Sequence, residues 1–316
     1  MIKNKKALLL LTLLIISSIA MVACDGGSQD VDSSKDEEEI IDIEHELGET
    51  HIEKNPEKVV VFDYGILDII DTIGGNVTGL PKQTLPDYLE EYKGEDYTDV
   101  GSLKEPNFEE IYELDPDLII ISGRQSDLYD EFEEIAPTLY LNINDGKYID
   151  AFKNNAETIG EIFDEEEKIE EEVEKIEEKI NDLNEEATSM DKNALFVMAN
   201  DGNISAYGPG SRFGVLYEEF GLTPVDETID SSTHGQKISF EYIVEEDPDY
   251  IYVLDRAAVT GGDISAKQVM DNDLIKGTTA YKNDNINYLD AHIWYVSTGG
   301  IYGTEKMVEE IQSSLK

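Results

Sequence analysis

The chain has 316 residues, enough for two domains of ordinary size, and its hydrophobic content of 40% is compatible with well-buried cores. Its 71 acidic and 24 basic residues give a formal net charge of −47, so phosphate backbones and anionic membrane surfaces repel it and we expect no nucleic-acid partner. The single cysteine, Cys24, excludes an internal disulfide and a cysteine-rich metal site.

Residues 1–23 have the pattern of a bacterial lipoprotein signal peptide. Lysines open the segment, an apolar stretch runs from Ala7 to Ala20, and small residues stand directly before Cys24. Cleavage before Cys24 would leave its thiol to carry a lipid. The alternative is an uncleaved membrane anchor, although about 16 apolar or small residues are slightly short for a span. In both cases we expect the remaining chain to lie on the extracytoplasmic face of the cell membrane.

An acidic tether and a hairpin follow the signal peptide. Residues 24–39 are rich in Asp, Glu, Ser and Gly, which predicts a disordered tether. Apolar and polar residues alternate over Ile41–Leu47 and Thr50–Glu53, which predicts an edge hairpin. Lys58–Phe62 contains the apolar run VVVF, which is typical of a strand covered on both faces. Strands and helices then alternate, which indicates an α/β fold.

The chain contains an internal repeat at a separation of 132 residues. Each copy is predicted to be a short helix, an Asp-Pro-Asp turn, an apolar strand and an arginine just past the strand's end. Because this period is too long for a solenoid, it predicts two similar lobes. The first copy consists of Phe108, Glu109, Ile111, Asp115, Pro116, Asp117, Ile119, Ile121 and Arg124, and the second of Phe240, Glu241, Ile243, Asp247, Pro248, Asp249, Ile251, Val253 and Arg256.

A helical pattern separates the two copies. Apolar residues at helical spacing form one stripe, consisting of Ile162, Ile169, Val173, Ile176, Ile180 and Leu183. A continuous helix over 154–187 would be about 50 Å long. We predict that it links an N-terminal lobe (40–153) to a C-terminal lobe (188–316) and packs across both. A dimeric coiled coil is the alternative.

Known catalytic templates are missing from the sequence. It contains no Gly-x-Ser-x-Gly, Walker or His-Glu-x-x-His motif. Gly208-Pro209-Gly210 with Gly214 imitates a dinucleotide fingerprint, but the third glycine comes one position late and a proline interrupts the turn. Carboxylates are so abundant that a pair of them is uninformative. We therefore predict a binding protein without covalent chemistry, with a lipoprotein hydrolase or an adhesive surface protein as alternatives.

Arginine is rare in this chain. Only Arg124, Arg212 and Arg256 occur; the first and last are related by the repeat, and Arg212 follows a Gly-Pro-Gly turn. Ligands of open parallel sheets bind beyond the carboxyl ends of the strands, so facing lobes would direct these guanidiniums into one cleft. Guanidinium is always charged and donates in a fork, which suits a planar anion. The alternative is three structural salt bridges.

These segments resemble a known family. Ser122–Ser126, Gly208–Arg212, Asp255-Arg256, Ser232–Gln236 and Trp294-Tyr295 are similar in order and spacing to ferric-catecholate siderophore-binding lipoproteins of iron ABC importers, in particular the petrobactin- and enterochelin-type receptors. The resemblance runs from about Glu44 to the C-terminus. It implies an α/β fold of two similar lobes joined by a long backbone helix, as in class III periplasmic binding proteins.

The resemblance also implies roles for individual residues. The three arginines would bind the anionic siderophore, and His234 and Tyr295 would be ligands of its Fe³⁺, with no permanent cofactor. Ferric iron prefers six ligands and a bis-catecholate supplies four oxygens, so a phenolate and an imidazole would complete the octahedron. The alternatives are a surface-loop histidine and a tyrosine that merely lines the cleft. We expect His292 to lie in a strand and to point away from Tyr295.

The resemblance also implies that two glutamates related by the repeat contact the permease. Glu109 and Glu241 stand at the starts of equivalent helices, where family members dock arginines of the two permease subunits. A negative charge in the first helical turn is also stabilising by about 0.3 to 1 kcal/mol, which is compatible with docking. The predicted protein thus captures a ferric siderophore and delivers it to an ABC permease, held at the membrane by lipid on Cys24. The nearest alternative is a receptor for another iron chelate, haem or cobalamin on the same scaffold.

Overall fold

The structure is a computed structural model that describes residues 39–143, 148–232 and 234–315. The predicted signal peptide, the lipid-bearing Cys24 and almost all of the predicted tether therefore lie outside the described residues. Within the described part, no helix is both long enough and apolar enough to cross a membrane.

The predicted hairpin is confirmed. Strands β1 (Ile40–His45) and β2 (Gly48–Glu53) pair antiparallel, and they form a sheet of their own rather than the edge of a larger one. Thr50 fastens the hairpin to the N-terminal lobe, since its hydroxyl donates to the Thr138 carbonyl at 2.6 Å.

Five parallel strands form the sheet of the N-terminal lobe. Their order across the sheet is β5-β4-β3-β6-β7. The central strands read VVV and LIII and are buried along their whole length, as expected where helices cover both faces. The strands are β3 (Val59–Val61), β4 (Gly79–Leu80), β5 (Thr98–Asp99), β6 (Leu118–Ile121) and β7 (Thr138–Tyr140).

Six strands form the sheet of the C-terminal lobe. Its path is β11-β9-β8-β12-β13, with β10 paired to the start of β8. Strands β8, β10, β12 and β13 are parallel, whereas β9 returns antiparallel to β8. The strands are β8 (Asn193–Asn200), β9 (Asn203–Tyr207), β10 (Thr223–Pro224), β11 (Gln236–Lys237), β12 (Tyr250–Asp255) and β13 (Ile286–Leu289).

Eleven α-helices occur in the described part of the chain. They are α1 (Tyr64–Ile73), α2 (Phe108–Leu114), α3 (Tyr129–Glu133), α4 (Tyr148–Ile162), α5 (Glu166–Ser189), α6 (Val215–Glu218), α7 (Phe240–Glu246), α8 (Arg256–Thr260), α9 (Ala266–Met270), α10 (Thr279–Lys282) and α11 (Ile301–Ser314). Residues His292–Val296 add a π-helical turn.

The internal repeat corresponds to repeated structure. Helices α2 and α7 both end at an aspartate in the left-handed conformation, Asp115 with φ 50° and Asp247 with φ 42°. A proline follows each aspartate, and the next aspartate accepts backbone N–H groups just before or at the start of a neighbouring strand. Because the same local interactions occur in both copies, each lobe contains the same helix-turn-strand unit.

The long helix predicted over 154–187 is divided in the structure. Helix α4 ends at Ile162 and α5 begins at Glu166, and Asp164 between them has a φ of 52°. The hairpin's exit holds this corner, because the Asn55 N–H donates to the Ile162 carbonyl at 2.8 Å and the Asn55 side chain donates to Asp164 at 2.6 Å. The predicted apolar stripe is buried within the chain itself, so it does not need a coiled-coil partner.

Two helices connect the lobes. Helix α5 contacts α4 and α11, and its Asn184 side chain donates to the Glu219 carbonyl at 2.8 Å. Helix α11 returns to the N-terminal lobe and packs on α1, where buried Asp68 accepts the backbone N–H groups of Tyr302 and Gly303 at 3.0 and 2.9 Å. The first turn of α11 is thereby fixed to α1 of the N-terminal lobe.

Candidate functional site

A cleft of about 520 Å³ opens at the carboxyl ends of the N-terminal strands and reaches residues of the C-terminal lobe. Its wall is mostly polar, and both lobes contribute a cation. The lining residues are Asp63, Ile66, Lys104, Ser122, Gly123, Arg124, Ser126, Tyr140, Leu141, Asn142, Ile143, Tyr148, Asn155, Arg212, Tyr295, Thr298 and Gly299.

Arg124 lies in the turn that follows β6. Gln125 fixes this turn, since its buried side chain accepts from the Ser122 N–H at 3.2 Å and donates to the Leu103 carbonyl at 2.5 Å. The Arg124 Nη2 donates to the Tyr295 carbonyl at 2.8 Å, and Nη1 lies 3.9 Å from Asp63. The guanidinium therefore extends from the N-terminal lobe to the segment before α11.

Arg212 follows the Gly208–Gly210 turn of the C-terminal lobe. Gly210 has a φ of 72°, and its N–H donates to Glu218 at 3.1 Å. The Arg212 guanidinium carbon lies 4.7 Å from the ring centroid of Tyr295, a cation–π geometry, and Nη2 lies 3.5 Å from the Tyr295 carbonyl oxygen.

Arg256 is the first residue of α8, directly after β12. Its Nε donates to the Tyr295 hydroxyl at 2.8 Å, and Nη1 donates to the Asn200 side chain at 3.0 Å. Arg256 is not among the residues that line the cleft, but it contacts the hydroxyl of Tyr295, which does line it. The three arginines that the sequence predicts at one cleft thus converge on one tyrosine, from three separate elements.

Tyr295 is half-buried at the centre of this arrangement. Burial on its own would raise the pKa of the phenol, but the hydrogen bond from Arg256 and the charges of Arg256, Arg212 and Arg124 outweigh it, so the pKa of Tyr295 lies below its usual value. The guanidiniums therefore make deprotonation of the Tyr295 phenol easier than in an isolated tyrosine.

His292 differs from the expectation for its segment. It lies with Tyr295 in the same π-helical turn, not in a strand, and its Nδ1 atom is buried. The wrong expectation came from extending the alternation of β13 past Leu289, where the strand ends.

His234 is exposed in the turn before β11. Gly235 allows this turn to pass close to Tyr207, because a Cβ at its φ of 69° would stand 2.7 Å from the Tyr207 ring. The same loop packs beside the Arg212 turn, where a Cβ on Gly210 would lie 3.6 Å from Ser231. Within the described residues, no hydrogen bond or ion pair joins the His234 imidazole to Tyr295.

Glu109 and Glu241 are exposed at the second positions of α2 and α7. Helix α2 connects β5 to β6, and α7 connects β11 to β12. The two strands of each pair are parallel, so the N-terminus of each helix lies at the carboxyl edge of its sheet. The two carboxylates therefore lie on the side of the molecule where the cleft opens, one on each lobe.

The sequence reasoning missed two charged groups in the cleft. Asp63 follows the VVVF strand directly, so the strand-end argument used for the arginines would have found it; its Oδ1 caps α1 by accepting from Gly65 at 2.9 Å. Lys104 lies in a loop closed by the Gly101–Pro106 bridge, and nothing in the sequence distinguishes it from the other lysines. The described residues contain no group of three or more His, Cys, Asp or Glu side chains placed to hold a metal ion.

Comparisons with known proteins identify the family of this chain. The family model described as "Periplasmic binding protein" matches residues 59–293. The chain is 46% identical over 315 residues to the petrobactin-binding protein YclQ of Bacillus subtilis, covering 98% of this chain and 99% of YclQ. It is 32% identical to the ferric-anguibactin-binding protein FatB of Vibrio anguillarum, covering 85% of each. The crystal structure of YclQ matches with a TM-score of 0.86 and 49% identity, over 88% of this chain and 99% of that one.

Proposed function

The chain belongs to the periplasmic binding protein family, and from that premise we propose that it captures a ferric catecholate-type siderophore outside the cytoplasmic membrane and delivers it to an ABC permease. The family resemblance and the two-lobed α/β fold predicted from the sequence are confirmed. The chain is a binding protein and not an enzyme, in agreement with the names of its relatives.

The observation that carries the proposal is the convergence of Arg124, Arg212 and Arg256 on Tyr295. The surrounding chain is strongly acidic, whereas two of these guanidiniums line the cleft and the third contacts the Tyr295 hydroxyl, which suits the cleft to an anionic ligand. Arg124 donates one N–H to the described residues and Arg256 two, out of the five that a guanidinium carries. Arg124, which lines the cleft, therefore retains N–H donors for catecholate oxygens.

Tyr295 and His234 are the proposed iron ligands. The arginines lower the pKa of Tyr295, and a phenolate is a hard oxygen ligand that suits Fe³⁺. His234 would reach the iron from the loop beside Arg212, and its exposure leaves room for that approach. A chelate that supplies four oxygens would then have its octahedron completed by the protein.

Two attributes of the proposal, lipid attachment and permease contact, concern residues outside the cleft. Cys24 would be the lipid attachment site, and loss of membrane association in a Cys24→Ser chain would support this. The permease would contact Glu109 and Glu241, which are exposed on both sides of the cleft. Iron is the cargo, so no permanent cofactor is needed.

A ligand panel tests the proposal. The chain without residues 1–38 is titrated with a ferric bis-catecholate, a ferric tris-catecholate, ferric citrate and haem, and the fluorescence of fully buried Trp294 is followed. We expect saturable quenching to be strongest with a catecholate. Preference for haem or citrate would move the function to another iron chelate on the same scaffold, and no saturable binding to any of the four would contradict the proposal.

Charge-neutralising variants locate the site. Arg124→Met and Arg212→Met keep side-chain bulk but remove charged donors, so each should weaken catecholate binding about 10- to 100-fold, corresponding to about 1.5 to 3 kcal/mol for a charge-assisted hydrogen bond. Lys192→Met is the matched control, because Lys192 pairs with Asp249 at the opposite, amino edge of the sheet. Equal affinity in the control and in the arginine variants would contradict the assigned cleft.

A further inference from the structure

Helices α2 and α7 carry matched side chains on their exposed surfaces. Tyr112 is 71% exposed and Val244 is 39% exposed, and the repeat relates these two positions. Among the exposed large hydrophobic side chains of the described residues, they are the only pair separated by the repeat distance. An exposed apolar group is therefore present at the same place on each lobe.

Exposed glutamates border both apolar residues. Glu109 and Glu113 stand three residues before and one residue after Tyr112, and all three side chains are exposed. Positions i, i+3 and i+4 of a helix share one face, so these residues form what we call the N-lobe stripe.

The second lobe repeats this arrangement. Glu241, Val244 and Glu245 are exposed at the equivalent positions of α7 and form the C-lobe stripe. Both stripes begin at the carboxyl edge of a sheet, on the side where the cleft opens. The two stripes differ in chemistry only at the apolar position, where tyrosine in one corresponds to valine in the other.

The repetition of exposed residues needs an explanation different from that of the buried ones. Ile111 and Ile243 are fully buried, and core packing accounts for an apolar residue at both positions. Core packing does not account for Tyr112 and Val244, because both side chains are exposed. A partner that offers two related surfaces would account for both stripes.

We propose that the N-lobe and C-lobe stripes dock two related but unlike permease subunits, each with an apolar recess bordered by basic side chains, and that Tyr112 and Val244 fix which lobe faces which subunit. The inference rests on the proposed function, because it assumes delivery to a permease. The glutamates supply complementary charge, which steers the encounter, while the desolvated apolar centre supplies specificity. A recess shaped for tyrosine leaves a void around valine, so the reversed orientation is disfavoured.

Uptake by cells tests the docking surface. Cells that lack their own copy of the gene are complemented with the full-length chain, and uptake of radioactive iron as the ferric bis-catecholate is measured. Tyr112→Lys and Val244→Lys each place a positive charge in an apolar recess that is bordered by basic side chains. Each variant should therefore lower the uptake rate at least tenfold. Leu47→Lys is the control, because Leu47 is 38% exposed at the hairpin tip, close to the 39% of Val244. Ligand affinity of the purified variants should stay within twofold of the unmodified chain, which shows that they fold.

A swap tests the orientation. The double variant Tyr112→Val/Val244→Tyr keeps an apolar group in both stripes, yet it should lower uptake at least threefold because each side chain meets the wrong recess. Unchanged uptake in the swap, or in both lysine variants, would overturn the inference. The double variant Glu109→Lys/Glu241→Lys distinguishes a failure of the further inference from a failure of the proposed permease contact. If this variant abolishes uptake while the apolar variants do not, only the further inference is overturned. If this variant also transports normally, the proposed permease contact is wrong as well.

Discussion

Replacing Asp68 by asparagine should change the pH dependence of stability by a calculable amount. Asp68 lies on α1 and is 2% exposed, and it accepts from two backbone N–H groups of α11 and from the Tyr88 hydroxyl at 3.0 Å. Burial outweighs these hydrogen bonds and raises the pKa of Asp68 to about 6, from 3.8 in the unfolded chain. The folded state therefore binds this proton more tightly than the unfolded state does.

The sign and size of the effect follow from linkage. The stabilisation from a raised carboxyl pKa is fully present below about pH 4 and is lost as the pH rises through about 6. At about 1.4 kcal/mol per pKa unit, the whole loss is about 3 kcal/mol, of which about 2 kcal/mol falls between pH 4.5 and 7.5. Asp68→Asn removes this loss, so its free energy of unfolding relative to the unmodified chain should rise by about 2 kcal/mol over that interval.

Urea unfolding followed by the fluorescence of Trp294 measures this difference. Experiments at several pH values from 4.5 to 7.5 and constant ionic strength stay above the isoelectric point of about 4.1. Other carboxyls with raised pKa values, such as Glu219, are present in both chains and cancel in the difference. Stability curves that run parallel over the whole interval would refute the reasoning.

Two further predictions concern the contact between the lobes and the overall charge. Gly65→Ala should lower the free energy of unfolding by about 1 to 3 kcal/mol, because the new Cβ would stand 2.3 Å from the Thr298 carbonyl oxygen. Urea unfolding measures this loss, and Gly277→Ala is the control, because its added Cβ meets open space. Equal stabilities of the two variants would contradict the prediction. Raising the salt concentration should speed the association of an anionic ferric chelate, because salt screens the net charge of −47. Salt should also speed dissociation, because it weakens the attraction between the chelate and the arginines. If stopped-flow measurements show that neither rate changes with salt, charge does not govern capture.

Local sequence was sufficient to predict the repeated unit and the meeting of the arginines. The Asp-Pro-Asp turn ends a helix in both copies, because Asp115 and Asp247 adopt the left-handed conformation and a proline follows. Arg124 and Arg256 stand after equivalent strands, each at the carboxyl edge of its own sheet. The rule that ligands bind beyond the carboxyl ends of strands therefore predicted that these arginines would meet.

Features that depend on distant contacts could not be predicted in the same way. The apolar stripe keeps its spacing through the corner at Asp164, so the break between α4 and α5 depends on Asn55, far away in the sequence. Nothing in the sequence distinguishes Asp68 from the exposed acidic residues, because its burial depends on packing against α11, far away in the chain. Arg124 and Arg212 share one acceptor, the carbonyl of Tyr295, which lies in a π-helical turn. The alternation of apolar and polar residues in the preceding strand does not predict this turn.

The visible spectrum of the ferric bis-catecholate complex tests the central claim most directly. If Tyr295 binds the iron as a phenolate held by the arginines, the unmodified chain should shift the charge-transfer band of the chelate, and Tyr295→Phe should bind more weakly without that shift. Tyr140→Phe is the control, because Tyr140 also lines the cleft and lies outside the arginine cluster. A spectrum and affinity in Tyr295→Phe equal to those of the unmodified chain would contradict the account.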